Sequence, residues 1–281
     1  MGSDTSTAAL VALLEHCPAA GSREHERIRR ERGAQAILER ELGLFAGAAI
    51  ADAQTRLHEW QRRGWSVVSL FDDEYPMLLR GTAEAPALLF VAGALRPDDG
   101  RAVAVVGSRK PTRRGCSLAA DLTRCLAAGG YTVVSGLAAG VDTVVHRTAL
   151  VSGGRTIAVI GNGLDHCYPP QNAHLQQRIE REGAVVSQFL PSTRPSRRSF
   201  PTRNAVMSGL TVATVIVEAS ETSGTRTQAR FALLQGRCVL LMEGLLVNDW
   251  ARELAGREGV EVLRTAPEVL DALERRGSVA A

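Results

Sequence analysis

From residue 101 onward, short unbroken apolar runs alternate with longer stretches whose apolar residues recur every three or four positions. The runs predict strands near 102–107, 131–135, 155–160, 184–188, 211–218, 237–242 and 259–263. The stretches between them predict helices near 115–129, 141–152, 171–182, 202–209, 223–236, 246–257 and 266–275. Continuous rather than alternating apolar strands are buried on both faces, which implies a parallel sheet with helices on either side. Two further strands precede this pattern, near 66–71 and 87–92, with an Asp-Asp-Glu-Tyr-Pro turn between them. Residues 7–62 read as helical, with an apolar stretch at 8–17, an Ala-rich charged stretch at 24–42, and Leu57 and Trp60 at helical spacing before Gly64. The charge run 24–32 alternates in sign, as a solvated helix face does. The predicted organisation is a helical N-terminal domain, 1–63, followed by an α/β domain, 64–281.

Composition adds little to this and excludes a few classes. A chain of 281 residues with 45% hydrophobic and 22% charged residues is an ordinary globular one. A net charge of +3 is only mildly basic, so binding to nucleic acid would have to come from a local patch. Lys110 is the single lysine among 33 cations. The five cysteines form no C-x-x-C pair, so neither a zinc site nor a disulfide framework is expected. Neither a signal peptide nor an apolar run of membrane length is expected, which points to a cytoplasmic protein without membrane insertion.

Candidate chemistry gathers where strands end. Val103–Val106 runs into Gly107-Ser108-Arg109-Lys110: a glycine for close backbone approach, a helix to follow, and a guanidinium fork that fits phosphate. The same order recurs at Ser135-Gly136, ahead of Gly140-Val141-Asp142, and at Gly161-Asn162-Gly163. Three such turns predict one anion-binding crevice, although tight strand-to-helix turns alone account for any one of them. Asp142 and His146 lie one turn apart on a helix, and capping of the helix start explains the aspartate better than a catalytic dyad does. Asn162 and Asp165 are explained by turn chemistry.

Residues 194–204 hold four arginines and no acid, with Phe200 between the last two. Arg194, Arg197, Arg198 and Arg203 suit phosphates, and Phe200 offers a face on which a base can stack. The competing reading is a solvated loop with Phe200 anchored in the core. Another apolar strand ends in Glu218, and Ser223-Gly224 opens a helix whose N-terminus suits an anion. Glu218 fits a phosphate poorly but could contact a ribose.

In order and spacing, these motifs resemble the DNA-processing protein A (DprA, or Smf) family. The resemblance rests on Tyr75-Pro76 with Leu78-Leu79, the Gly-Ser-Arg turn at 107–109, and Ser135-Gly136 with Ala138, Gly140-Val141-Asp142 and His146. It continues through Gly161, Gly163-Leu164-Asp165, Tyr168-Pro169 and Asn172, then Phe200-Pro201, Arg203-Asn204, Val217-Glu218-Ala219, Ser223-Gly224 and Gly236-Arg237. The resemblance implies an extended Rossmann-like, doubly wound, mostly parallel sheet behind a small helical domain. It also implies a homodimer that binds single-stranded DNA, protects incoming DNA during natural transformation and helps load a RecA-type recombinase. No catalytic residue, cofactor or metal is implied. Carried onto matching positions, the DNA site would use Gly107, Ser108, Arg109, the loop from Arg197 to Phe200, Arg203 and Asn204. Together with the readings above, the candidate site is Gly107, Ser108, Arg109, Lys110, Gly136, Gly161, Gly163, Arg197, Arg198, Phe200, Arg203, Asn204, Ser223 and Gly224.

Some positions depart from the family's pattern. Gln188 stands where a Glu is usual, Ala205 where an Arg is, Thr225-Arg226-Thr227-Gln228 where Ser-Leu-x-Thr is, and Met242-Glu243-Gly244 where Val-Pro-Gly is. A C-terminal winged-helix domain carried by many members has no room here. The alternatives are a small-nucleotide binder or nucleotide N-glycosidase-like protein with Glu218 near the ribose, and a nucleotide-signal sensor. The Gly-Gly-x-Gly-Thr-x-x-Glu pattern of the phosphoribohydrolases is missing.

Overall fold

The computed structural model describes residues 2–16, 28 and 33–277; most of the charge run at 24–32 and Cys17 fall outside them. Nine strands form one sheet: β1 (Trp65–Ser69), β2 (Leu88–Gly93), β3 (Ala102–Val106), β4 (Thr132–Ser135), β5 (Thr156–Val159), β6 (Ala184–Ser187), β7 (Ala213–Ile216), β8 (Cys238–Met242) and β9 (Val260–Leu263). The order across the sheet is β1-β2-β6-β5-β4-β3-β7-β8-β9. β3 to β9 pair in parallel, whereas β1 and β2 form an antiparallel hairpin whose second strand runs against β6. This is the doubly wound, Rossmann-like α/β sheet expected, with an antiparallel extension.

Strand side chains alternate between two dry layers, as the pleat requires. Ala102, Ala104 and Val106 face one layer, and Val103 and Val105 the other. The first layer is covered by α8 (Ser199–Gly209), α9 (Thr225–Leu234) and α10 (Asp249–Ala255), through Val206, Met207, Ala229, Ala232 and Trp250. The second is covered by α5 (Arg113–Ala128), α6 (Val141–Val151) and α11 (Ala266–Gly277). Towards the β6 side, α7 (Ala173–Glu182) shares this face with the N-terminal helices α1 (Gly2–His16), α2 (Ala34–Leu42) and α3 (Ala46–Arg62). Their Leu10, Leu38 and Trp60 join one apolar cluster with Phe90 and Val185, and the rings of Trp60 and Phe90 meet edge to face at 5.4 Å. A short helix, α4 (Met77–Arg80), follows β1.

Two helices begin earlier than their apolar periodicity predicts, and serine or threonine hydroxyls bind the backbone at both starts. α5 starts at Arg113 because the Thr112 hydroxyl accepts from the Gly115 amide at 3.0 Å. Before α8, which starts at Ser199, Ser196 and Ser199 close the preceding turn, each amide donating to the other's hydroxyl at 3.1 Å. Pro201 then sits in the first turn, where its missing N–H costs nothing. The basic segment 194–204 is therefore half loop and half helix.

Candidate nucleic-acid interface

In sequence the parallel strands run from β3 outward to β6, then return to the other side of β3 with β7. The carboxyl ends of β3 and β7 thus part at the topological switch point, where such sheets open a crevice. A cavity of about 600 Å³ occupies this place. Its base is Val106 and the turn Gly107-Ser108-Arg109-Lys110. Phe200, Pro201, Arg203, Asn204 and Met207 of α8 form one wall; Ser220, Thr222–Thr225, Thr227 and Gln228 form the opposite one.

The first turn is pressed between its neighbours. A Cβ on Gly107 would stand 2.7 Å from Cγ2 of Val141 and 2.9 Å from the Glu218 carbonyl. The Ser108 carbonyl accepts from the Val141 amide at 3.0 Å, and Gly140, at φ +85°, brings its backbone against residues 108–109. The Lys110 amide donates to the Ser108 hydroxyl at 3.1 Å, which leaves the Arg109 and Lys110 side chains exposed. Glu218 ties the far side of the turn: its carboxylate accepts from the Thr112 amide at 2.9 Å and the Thr112 hydroxyl at 2.5 Å.

Behind the crevice lies a buried polar layer. Asp142 accepts from the Ala138 amide at 3.2 Å, and burial raises its pKa against the opposing field of Arg203. Arg203 is buried as well, with Nη1 donating to the Val159 carbonyl at 2.5 Å and Nε without a partner. Burial lowers its pKa, and Asp142 opposes that. His146 is fully buried, Nδ1 lies 2.8 Å from the Thr156 hydroxyl, and burial, with the Arg203 charge second, pushes its pKa down to about 3. The Thr156 hydroxyl in turn donates to the Val133 carbonyl at 2.8 Å. Asp142 thus holds the turn before α6 rather than an amide of the helix itself, and it lines the cavity, whereas His146 is buried in the core. Leu137, at φ +57°, is the one described non-glycine residue with positive φ; Asn172 holds that strained turn by donating to the Leu137 carbonyl at 2.9 Å.

The structure brings Gly107, Ser108, Arg109, Lys110, Phe200, Arg203, Asn204, Ser223 and Gly224 to one cavity. Of the second glycine turn, Ala138 and Asp142 also line the cavity, but Gly136, Gly161 and Gly163 do not reach it. Gly136 lies behind the wall, where a Cβ would overlap the Arg203 guanidinium. Gly161 lies under Phe200, with a Cβ 2.8 Å from its ring, and Gly163 packs on the backbone of Leu190 and Pro191. These three glycines make room for protein atoms rather than for an anion. Arg197 and Arg198 are exposed on the loop before α8, outside the cavity lining. Phe200 is half-buried, tilted against Tyr168 at 5.5 Å, with the Arg109 guanidinium 5.4 Å from its ring centroid. Sequence reasoning did not single out Met207 or Ser220, and it named Thr227 and Gln228 only as departures from the family's pattern; the strand order is what places α9 opposite α8. Among the described residues no group of three His, Cys, Asp or Glu is placed to hold a metal, and no helix is long and apolar enough to cross a membrane.

Residues 66–272 match the family model for DNA recombination-mediator protein A. The chain is 31% identical to DNA processing protein DprA of Bacillus subtilis over 223 residues, 78% of this chain and 75% of the relative. It is 38% identical to protein Smf of Synechocystis over 180 residues, 63% of this chain but only 45% of the relative. The crystal structure of DprA from Streptococcus pneumoniae superposes with a TM-score of 0.71 at 30% identity, covering 94% of this chain and 92% of the other. That of DNA processing protein A from Helicobacter pylori, solved to describe its single-stranded DNA binding mode, gives 0.67 at 26% identity, covering 75% and 96%.

Proposed function

Since the chain belongs to the DNA recombination-mediator protein A family, the DprA/Smf proteins, we propose that it binds single-stranded DNA in the crevice between β3 and β7. It acts by binding, without catalysis, to protect the strand and present it to a RecA-type recombinase in the cytoplasm. The observation that carries this reading is the mouth of the cavity, where the Arg109 guanidinium stands 5.4 Å from the Phe200 ring beside the Gly107-Ser108 turn. The cation for a phosphate lies over the aromatic ring, so a base would stack there by sliding between the guanidinium and the ring or by displacing the guanidinium. Arg197 and Arg198, exposed on the loop leading into α8, extend the positive surface along the path of a strand. The homodimer belongs to this reading, since two crevices on one assembly hold a strand with a raised effective concentration. Against a nucleotide N-glycosidase stands Glu218, whose carboxylate is spent on Thr112 rather than facing the cavity.

Fluorescence anisotropy with labelled single- and double-stranded DNA across a salt series tests this. Affinity for the single strand should fall with a log–log slope of about −0.7 for each phosphate contacted, and Arg109→Ala should lower both affinity and slope. An unchanged slope in that variant removes the first turn from the phosphate site. Phe200→Ala should cost about 1–3 kcal/mol of binding if the ring stacks on a base. The same change would instead lower the melting temperature sharply if the ring's contacts with Tyr168 and Gly161 were its main purpose.

A further inference from the structure

We infer that Gln228 makes the crevice selective for nucleobases that carry an exocyclic amine, a discrimination that rests on the single-strand reading above. Gln228 lies on the first turns of α9, is 1% exposed and lines the cavity. Its Nε2 is directed to the Thr214 hydroxyl of β7 at 3.4 Å, while Oε1 has no partner. On the same wall the Thr225 hydroxyl donates to that of Ser223 at 3.0 Å. A buried carbonyl without a donor, at the edge of a cavity large enough for a nucleotide, recognises a donor that the ligand brings. Val106 and Met207, both buried, line the same cavity.

The amine of cytosine, adenine or guanine is such a donor. Uracil and thymine offer only a ring N–H between two carbonyl oxygens, and those oxygens would be held against Oε1. Cytosine and uracil differ at ring position 4, amine against carbonyl, so they isolate this contact from size and stacking.

The test compares equal-length oligo(dC) and oligo(dU) by anisotropy at mildly alkaline pH, where cytosine strands stay single. The wild type should bind oligo(dC) about fivefold more tightly, the worth of one good hydrogen bond. Gln228→Met, of similar length and shape, should bind both alike. Equal binding by the wild type overturns the inference while leaving the single-strand reading standing, as does a preference that survives in Gln228→Met. Failure of the wild type to bind either strand overturns both. The wild-type comparison needs no variant, so a poorly folded Gln228→Met protein cannot mask the answer.

Discussion

Acidifying the wild-type protein from about pH 7.5 to about pH 4.5 should cost about 3 kcal/mol more stability than the same change costs a His146→Gln variant. His146 is held neutral in the fold, its pKa pushed from 6.5 to about 3 by burial and then by Arg203. In the unfolded chain it takes up a proton near its ordinary value. Stability contributed by a depressed pKa is therefore complete above the unfolded value and drains away as pH falls towards the folded one. Two pH units of that window at about 1.36 kcal/mol each give the figure, and the whole window gives about 5 kcal/mol. Glutamine offers the Thr156 hydroxyl either a donor or an acceptor and has no charge to gain. Asp142 has the opposite sign, since burial raises its pKa, but it is present in both proteins and its contribution largely cancels in the comparison. Urea unfolding at the two pH values checks this. Equal losses in both proteins would mean that His146 is protonated in the fold or reached by water.

Arg203→Met should cost about 3 kcal/mol or more near neutral pH, because it strips a buried carboxylate of the cation that offsets it. Arg203 is the leading influence holding the Asp142 pKa down against burial. Without it that pKa climbs further above its unfolded value, so the deficit should shrink as the solution is acidified and the carboxyl protonates. The double variant Arg203→Met, Asp142→Asn should recover most of the loss. Chemical unfolding of the three variants at neutral and acid pH decides it; a single variant as stable as the wild type would show that Arg203 is not the counter-charge. Binding by Arg203 variants has to be read against the fraction folded, since lost affinity there does not by itself report a lost phosphate contact.

Most of the sheet was legible because buried parallel strands leave unbroken apolar runs that little else in a chain produces. All seven runs after residue 101 became strands, each a residue or more shorter than the run at one or both ends. The helix starts at Arg113 and Ser199 were less legible, since they turn on single hydroxyl contacts to the backbone rather than on periodicity. Within the site, the residues on the β3 turn and at Ser223-Gly224 were legible because they are local to strand ends. Gly136, Gly161 and Gly163 look the same in sequence, yet they face Arg203, Phe200 and the Leu190-Pro191 backbone. Whether a glycine admits an anion or a neighbouring side chain depends on what lies across the turn. That is settled by strand order, which no local pattern carries. Arg203 likewise reads as one more cation of a basic segment until α8 turns it inward.

The close fit of Gly136 under Arg203 constrains how this lineage can drift. A larger residue at position 136 has to push the buried Arg203 guanidinium aside, because its first added carbon would stand 2.0 Å from Nη1. Position 203 in turn has no easy step away while Asp142 keeps its charge. The three sites are therefore coupled: loss of the aspartate charge frees the arginine, and loss of the arginine opens the space that a side chain at position 136 would need.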